Sequence, residues 1–225
     1  MKNKCVCITG STQGIGYGIA EAFALKGARL VINSHVDNIE AKRKLSEITE
    51  CHFVKADLSK IEGTKKLIQQ SYEKLGKLDT LVNNAGTFLD TNFENITEDT
   101  FDRTFNLNVK GYMFASQAFA EKIPNNQNNA SIICIGSSNS QAAEKNSVLY
   151  DTSKGAILMM IRSLAISLAE KNIRVNGIAP GLIETPLNQE GINKGNNKKI
   201  LTSQIPLGRI GNPNDIGGVC QSISF

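Results

Sequence analysis

The sequence predicts an α/β domain built on a doubly wound parallel sheet, and three observations carry that prediction. Short β-rich runs alternate with longer amphipathic ones along the chain, the repeating unit of strand–helix–strand crossovers. Several of the short runs are apolar on both faces, as strands are when helices cover a sheet from each side. A glycine-rich turn, TGSTQGIG at 9–16, closes the first such run and opens the first helical one. Right-handed crossovers wind such a sheet in two directions and leave a crevice where the strand order reverses.

Six runs read as strands: CVCITG (5–10), ARLVINS (28–34), CHFVKAD (51–57), LDTLVNNAG (78–86), ASIICIGS (130–137) and IRVNGIAPG (173–181). Helical stretches lie between them at 15–26, 37–50, 60–75, 98–123 and 147–171. The third follows its strand directly and carries a capping-box pattern, Ser59 with Glu62 three residues later. PNNQNNA (124–130) reads as a polar surface loop, and NQEGINKGNNKK (188–199) as a longer flexible insertion after the sixth strand. With no linker and no repeat of fixed period, residues 1–225 form a single domain, in which 188–205 is expected to cover the substrate as a lid.

Composition removes several classes of function. Lysine plus arginine exceeds aspartate plus glutamate by 25 − 21 = 4 over 225 residues, which suits a small anionic ligand. No dense basic run of the kind nucleic acid requires is present. The five cysteines, Cys5, Cys7, Cys51, Cys134 and Cys220, are odd in number and lack CxxC spacing, against both a disulfide framework and a zinc site. Four of them sit in or beside apolar runs and read as small buried hydrophobes. With only His35 and His52 as histidines, no metal is expected. The opening MKNKCVCITG has no signal-like apolar core, and no stretch reaches membrane-spanning length, so the reading is cytoplasmic and reduced, with no membrane and no nucleic-acid partner.

The glycine turn assigns tasks to Gly10, Gly14 and Gly16. The first turns sharply, the second lets backbone approach a pyrophosphate, and the third lets the helix lie close to the sheet. The helix N-terminus then offers free N–H groups and a partial positive charge.

TGSTQGIG, Asp57 after the third strand, NNAG (83–86), Asn108 in NLNVKG, Ser137 in IGSS, YDTSK (150–154) and PG (180–181) stand in one order along the chain. By these residues the chain resembles the short-chain dehydrogenase/reductase family, including its 3-oxoacyl-carrier-protein reductases and its sugar and polyol dehydrogenases. The resemblance implies a Rossmann-like, NAD(P)-dependent oxidoreductase. It places the cofactor on Gly10, Ser11, Thr12, Gln13, Gly14, Ile15 and Gly16, then on Ser34, His35, Asp57, Leu58, Asn84, Ala85 and Gly86, with Asn83 beside them. Pro180, Gly181, Ile183 and Thr185 complete that site, together with Tyr150 and Lys154. Within it Asp57 contacts the adenine and Thr185 the nicotinamide carboxamide. Asn108, Ser137, Tyr150 and Lys154 form the catalytic set. Asn108 would hold a water that relays protons from Lys154, and Ser137 would bond the substrate oxygen, with neighbouring Ser138 the rival for that task.

Tyr150 and Lys154 are four residues apart, which on a helix puts both side chains on one face. Bringing a phenol from a pKa of about 10 to about 7 takes roughly 4 kcal/mol. A unit positive charge about 4–5 Å away at an effective dielectric near 20 supplies roughly 3–4 kcal/mol. The pair therefore reads as an acid/base tuned downward by the lysine.

Cofactor choice leans to NADP(H), with NAD(H) possible. An acidic residue at the end of the second strand would repel a 2′-phosphate, and here that position is Ser34, followed by His35. Gln13 argues the other way, standing where many NADP-dependent relatives carry a basic residue. Asn139, Gln141 and Glu144 favour a polar small-molecule substrate, while Lys194, Lys198 and Lys199 could meet an acyl carrier protein. Phe101, Phe105, Met113, Phe114, Met159, Met160 and Ile161 are enough apolar residues for their two helices to face both the sheet and a partner, in a homodimer or homotetramer. The family usually continues through a further helix and strand beyond PLGRIGNPNDIGG (206–218), whereas this chain stops at VCQSISF, so its last strand is expected to be missing. That departure keeps open a second reading, a nucleotide-binding protein without turnover.

Overall fold

Long crossovers join the six strand-like runs, and the chain returns after the third run to pair the fourth with the first, which dictates the architecture. In the computed structural model, which describes residues 2–124, 127 and 129–224, all pairings are parallel. The strands are β1 (Cys5–Ile8), β2 (Arg29–Ser34), β3 (Cys51–Lys55), β4 (Thr80–Asn83), β5 (Ala130–Ile135) and β6 (Ile173–Ile178), in the order β3-β2-β1-β4-β5-β6. The order reverses between β1 and β4, so the crevice opens beyond their carboxyl ends. β2 ends where expected, at Ser34, and the other five strands stop two or three residues short of their expected ends; Gly10, Asp57, Ala85 and Gly136 from those ends line that crevice. Among the described residues there is no seventh strand, and β6 is an edge.

The helices are α1 (Gly14–Leu25), α2 (Ile39–Ser46), α3 (Ile61–Leu75), α4 (Glu98–Phe105), α5 (Gly111–Lys122), α6 (Val148–Ser167), α7 (Gln189–Asn193), α8 (Asn197–Ser203) and α9 (Pro213–Ile223). Alternation along the central strands divides the core. Cys5 and Cys7 point to a cluster with Leu67, Ile68, Phe119 and Ile157 from α3, α5 and α6. Val6 and Ile8 point the other way, to Ile19, Phe23 and Cys220 from α1 and α9. All five cysteines are buried and free, as small hydrophobes. No described helix is long and apolar enough to cross a membrane.

Three local expectations need correction. The capping box at Ser59 does not form: α3 begins one residue later with Lys60 as its cap, and Ser59 Oγ donates instead to Asp57 Oδ1 at 2.7 Å. The helix expected over 98–123 is interrupted by a π turn at Asn106–Lys110. The 188–199 insertion is not extended coil but contains α7 and the start of α8, with Lys198 paired to Glu184 at 3.0 Å. Of the apolar residues expected to face the sheet or a partner, Met160 is core at 6% exposure. The loop at 124–130 lies partly outside the described residues, and Gln127 within it bonds the Leu78 carbonyl at 2.7 Å.

Candidate active site

The crevice floor is made by the turns that leave β1, β2 and β4. Gly10 has φ +57, and a Cβ there would stand 2.7 Å from Ala85 Cα, so only glycine lets the two loops meet. Thr9 Oγ1 accepts from the N–H groups of Asn84 and Ala85 at 2.8 and 2.9 Å, and Asn84 Nδ2 returns bonds to the Thr9 and Gly10 carbonyls. Asn33, fully buried, accepts from Gly10 N at 3.2 Å and donates to the Val54 and Ala56 carbonyls at 3.1 and 3.2 Å. One side chain thus ties the glycine turn to β2 and to the end of β3. Neither Thr9 nor Asn33 was singled out in the sequence, although each adjoins a residue that was, Gly10 and Ser34.

A cleft of about 690 Å³ rises from this floor. It is lined by Gly10, Thr12, Gln13, Gly14, Ile15 and Gly16, by Ser34, His35, Asp57 and Leu58, and by Asn84, Ala85, Gly86, Tyr150, Lys154 and Thr185. Five expected cofactor residues are not brought to it, and Asn108 and Ser137 of the expected catalytic set also lie outside its lining. Ser11 is buried between strands, its hydroxyl donating to the Ile8 carbonyl and accepting from Asn33 N. Ile183 belongs to the core on the α1 face. Pro180 and Gly181 lie outside the lining, the Pro180 carbonyl accepting from Ser138 N. Asn83 is likewise beneath the floor, held by Ser116 at 2.9 Å. Asn106, Leu107 and Arg103 do reach the cleft and were missed, because the π turn that swings this segment has no sequence signature comparable to a glycine.

A dinucleotide fits this cradle. Gln13 caps α1 without any side-chain hydrogen bond and no acidic residue occupies the first turn, so the N–H groups of that turn are free for an anion. Gly14, at φ +55, keeps the approach open beside Thr185, where a Cβ would sit 3.4 Å from the threonine. Burial raises the Asp57 carboxyl, but bonds from Ser59 with nearby Lys60 and His35 hold it below the usual range.

At the inner end, α6 presents Tyr150 and Lys154 on one face, the ammonium 5.5 Å from the phenol ring centroid. Lys154, only 5% exposed, donates to the Ile135 carbonyl at 3.0 Å. Tyr112 donates its hydroxyl to the same carbonyl at 3.0 Å. Ser137, two residues past the end of β5, has its side chain buried next to Tyr150, whereas Ser138 is exposed. Phe88 meets the Tyr150 ring edge-on at 5.1 Å between centroids. Asn108 sits in the π turn, fully buried, accepting from Thr87 N at 2.8 Å and donating to the Thr87 carbonyl and Ser153 Oγ. Its polar atoms are spent on holding the loop after β4 to α6.

The ionisation of the pair differs from the sequence-based expectation. Burial pushes Tyr150 up, offset in part by hydrogen bonding with Ser137 and reinforced by Asp151 and Glu144. Burial pushes Lys154 down to about 8. The expectation counted the lysine charge and omitted desolvation, which opposes charge on both groups and here outweighs their attraction.

Comparison with known proteins agrees with this geometry. A family model described as Enoyl-(Acyl carrier protein) reductase matches residues 10–223. The L-rhamnose-1-dehydrogenase of Scheffersomyces stipitis is 34% identical, covering 97% of this chain and 87% of that protein. The NADP-dependent (R)-specific alcohol dehydrogenase of Lentilactobacillus kefiri is 34% identical, covering 98% and 88% respectively. Among solved structures, a 3-oxoacyl-[acyl-carrier protein] reductase from Brucella melitensis in complex with NAD is similar at a TM-score of 0.92 and 26% identity, covering 100% of this chain and 90% of that one. With six parallel strands, an uncapped glycine-turn helix and a Tyr–Lys pair in one cleft, and with a family model and relatives that match nearly the full chain, the protein belongs to the short-chain dehydrogenase/reductase family of NAD(P)-dependent oxidoreductases.

Proposed function

We propose that the protein interconverts a small carbonyl compound and the matching secondary alcohol, with Tyr150 carrying the proton and NADP(H) preferred. The observation that carries this reading is half-buried Tyr150 on one helical face with buried Lys154 in the cleft, and buried Ser137 next to it. A bound nicotinamide supplies or accepts the hydride. Ser137 Oγ holds the substrate oxygen, and Tyr150 gives that oxygen its proton during reduction or takes it during oxidation. The raised pKa keeps the phenol protonated at neutral pH, which suits the reductive direction. Lys154, anchored on the Ile135 carbonyl, puts a proton source next to the phenol. Asn108 fixes the loop from Thr87 against α6 and so keeps the wall of the cleft in register with Tyr150.

The preference for NADP(H) rests on Ser34, which lines the cleft with a hydroxyl where a carboxylate would repel a 2′-phosphate, and on exposed His35 beside it. Residues 188–205, with α7 and α8, cover the substrate end. Of the groups expected to favour a polar substrate, Asn139 has its side-chain polar atoms committed to Ser137 and Asp151; of those expected to meet an acyl carrier protein, Lys198 is paired at the surface with Glu184. Phe101, Met113, Met159 and Ile166 stay exposed on α4, α5 and α6, and these faces form the contact of a homo-oligomer. The test is NADPH and NADH consumption over a panel of ketones and sugars, with Tyr150→Phe alongside. Turnover abolished in the variant while cofactor affinity holds supports the reading. Equal turnover overturns it, and binding without turnover on every substrate leaves only a nucleotide-binding role.

A further inference from the structure

Asp151 follows Tyr150 in α6, and proton transfer as described gives it no task. Its half-buried carboxylate takes two bonds from the segment between β5 and α6: Oδ1 accepts from Asn139 Nδ2 at 2.8 Å and Oδ2 from Glu144 N at 2.9 Å. Asn139 in turn brackets Ser137. Its N–H donates to Ser137 Oγ at 3.1 Å, and its Oδ1 accepts from Ser137 Oγ at 3.2 Å. A chain of hydrogen bonds thus runs from Asp151 through Asn139 to Ser137, and the backbone joins Asp151 directly to Tyr150.

The polarity of that chain is fixed at its acidic end. A carboxylate only accepts, so Asn139 must present its NH2 to Asp151 and therefore its oxygen to Ser137. The Ser137 proton then points along the long bond to Asn139, and one lone pair of Oγ is taken by Asn139 N–H. A substrate oxygen needs only to draw the hydroxyl away from a 3.2 Å contact. The same carboxylate places negative charge beside Tyr150. The groups facing that phenol are Lys154 and Asp151 on α6, Ser137 and Glu144 on the preceding segment, Tyr112 on α5 and the Phe88 ring after β4.

We infer that Asp151 is a positioning residue acting on both groups that meet the reacting oxygen, on Ser137 through Asn139 and on Tyr150 through its charge. This rests on the roles of Ser137 and Tyr150 proposed above. Removing the charge favours the phenolate, in keeping with the upward push Asp151 exerts on Tyr150.

Two readouts test it on the full chain. The first needs no turnover: phenolate absorbance is titrated, with the Tyr150→Phe protein subtracted to isolate Tyr150. Asp151→Asn is expected to move that ionisation to lower pH, and Asn139→Ala to leave it in place. The second is the rate of carbonyl reduction. Asn139→Ala is expected to lower kcat about tenfold with the cofactor KM unchanged, the mark of an interaction felt at the chemical step. Asp151→Glu, which keeps the charge but misplaces the acceptor, should lose kcat as Asn139→Ala does while holding the titration near wild type. Thermal melting establishes that each variant is folded. An unmoved Tyr150 titration in Asp151→Asn, or an unchanged kcat in Asn139→Ala, overturns the inference. Unimpaired turnover by Tyr150→Phe would instead sink the proposed function, and the titration would still read the coupling.

Discussion

Lys154→Met should make the fold more stable at neutral pH while destroying turnover. The lysine is 5% exposed, and its ammonium rests on one carbonyl and two aromatic rings, with no carboxylate bonded to it among the described residues. Burial lowers its pKa from 10.5 to about 8. The unfolded chain therefore keeps this proton to higher pH than the folded chain. The cost of the buried charge is fully present below about pH 8 and fades as pH rises toward 10.5. At about 1.4 kcal/mol per pH unit, that cost is about 3 kcal/mol at pH 7 and about 1.4 kcal/mol at pH 9.5. Methionine fills the same channel, and the Ile135 carbonyl keeps the Tyr112 hydroxyl, so the change orphans no acceptor. Urea unfolding of wild type and variant at both pH values measures the difference by linear extrapolation. At pH 7 the gain corresponds to a rise in Tm of roughly 6–12 °C for a chain of this length. A variant no more stable than wild type, or a gap that stays constant from pH 7 to 9.5, would refute the claim that desolvation governs this site.

Other consequences are open to direct measurement. Gly10→Ala combines a positive φ with a Cβ 2.7 Å from Ala85 Cα; it should cost about 2–4 kcal/mol of stability by urea unfolding and weaken cofactor binding. Ser34→Asp should weaken NADPH binding about 100-fold through like-charge juxtaposition and NADH much less; tighter NADH than NADPH binding by the unmutated chain would overturn the cofactor preference. Met159→Lys together with Ile166→Lys, at side chains 56% and 80% exposed, should leave the fold intact and shift sedimentation toward the monomer. A wild type that sediments as a monomer at micromolar concentration counts against the oligomer.

Much of this protein is determined by short-range pattern. The alternation of apolar runs with amphipathic ones announces a parallel sheet, because strands buried on both faces have no polar side to show. The glycine turn locates one wall of the crevice, since a positive φ at Gly10 and Gly14 demands glycine whatever the rest of the chain does. Spacing alone puts Tyr150 and Lys154 on one helical face, and α6 does so.

Tertiary structure decided what depends on meeting a distant segment. Ser59, by contrast, was lost to a local competitor: it matches a capping box in sequence, but Asp57 two residues earlier claims its hydroxyl. Asn108 was legible as a misfit in a helix, whereas the π turn that carries it and its bonds to Thr87 and Ser153 arise from packing against segments 21 and 45 residues away. Asn33, Thr9 and Asp151 have no spacing signature, because their work is to join loops that lie apart in the chain and meet only when the sheet closes. The direction in which Tyr150 and Lys154 titrate follows the same rule. The sequence supplies the two charges, and only the fold sets how much water each one loses, which for these buried groups is the larger effect.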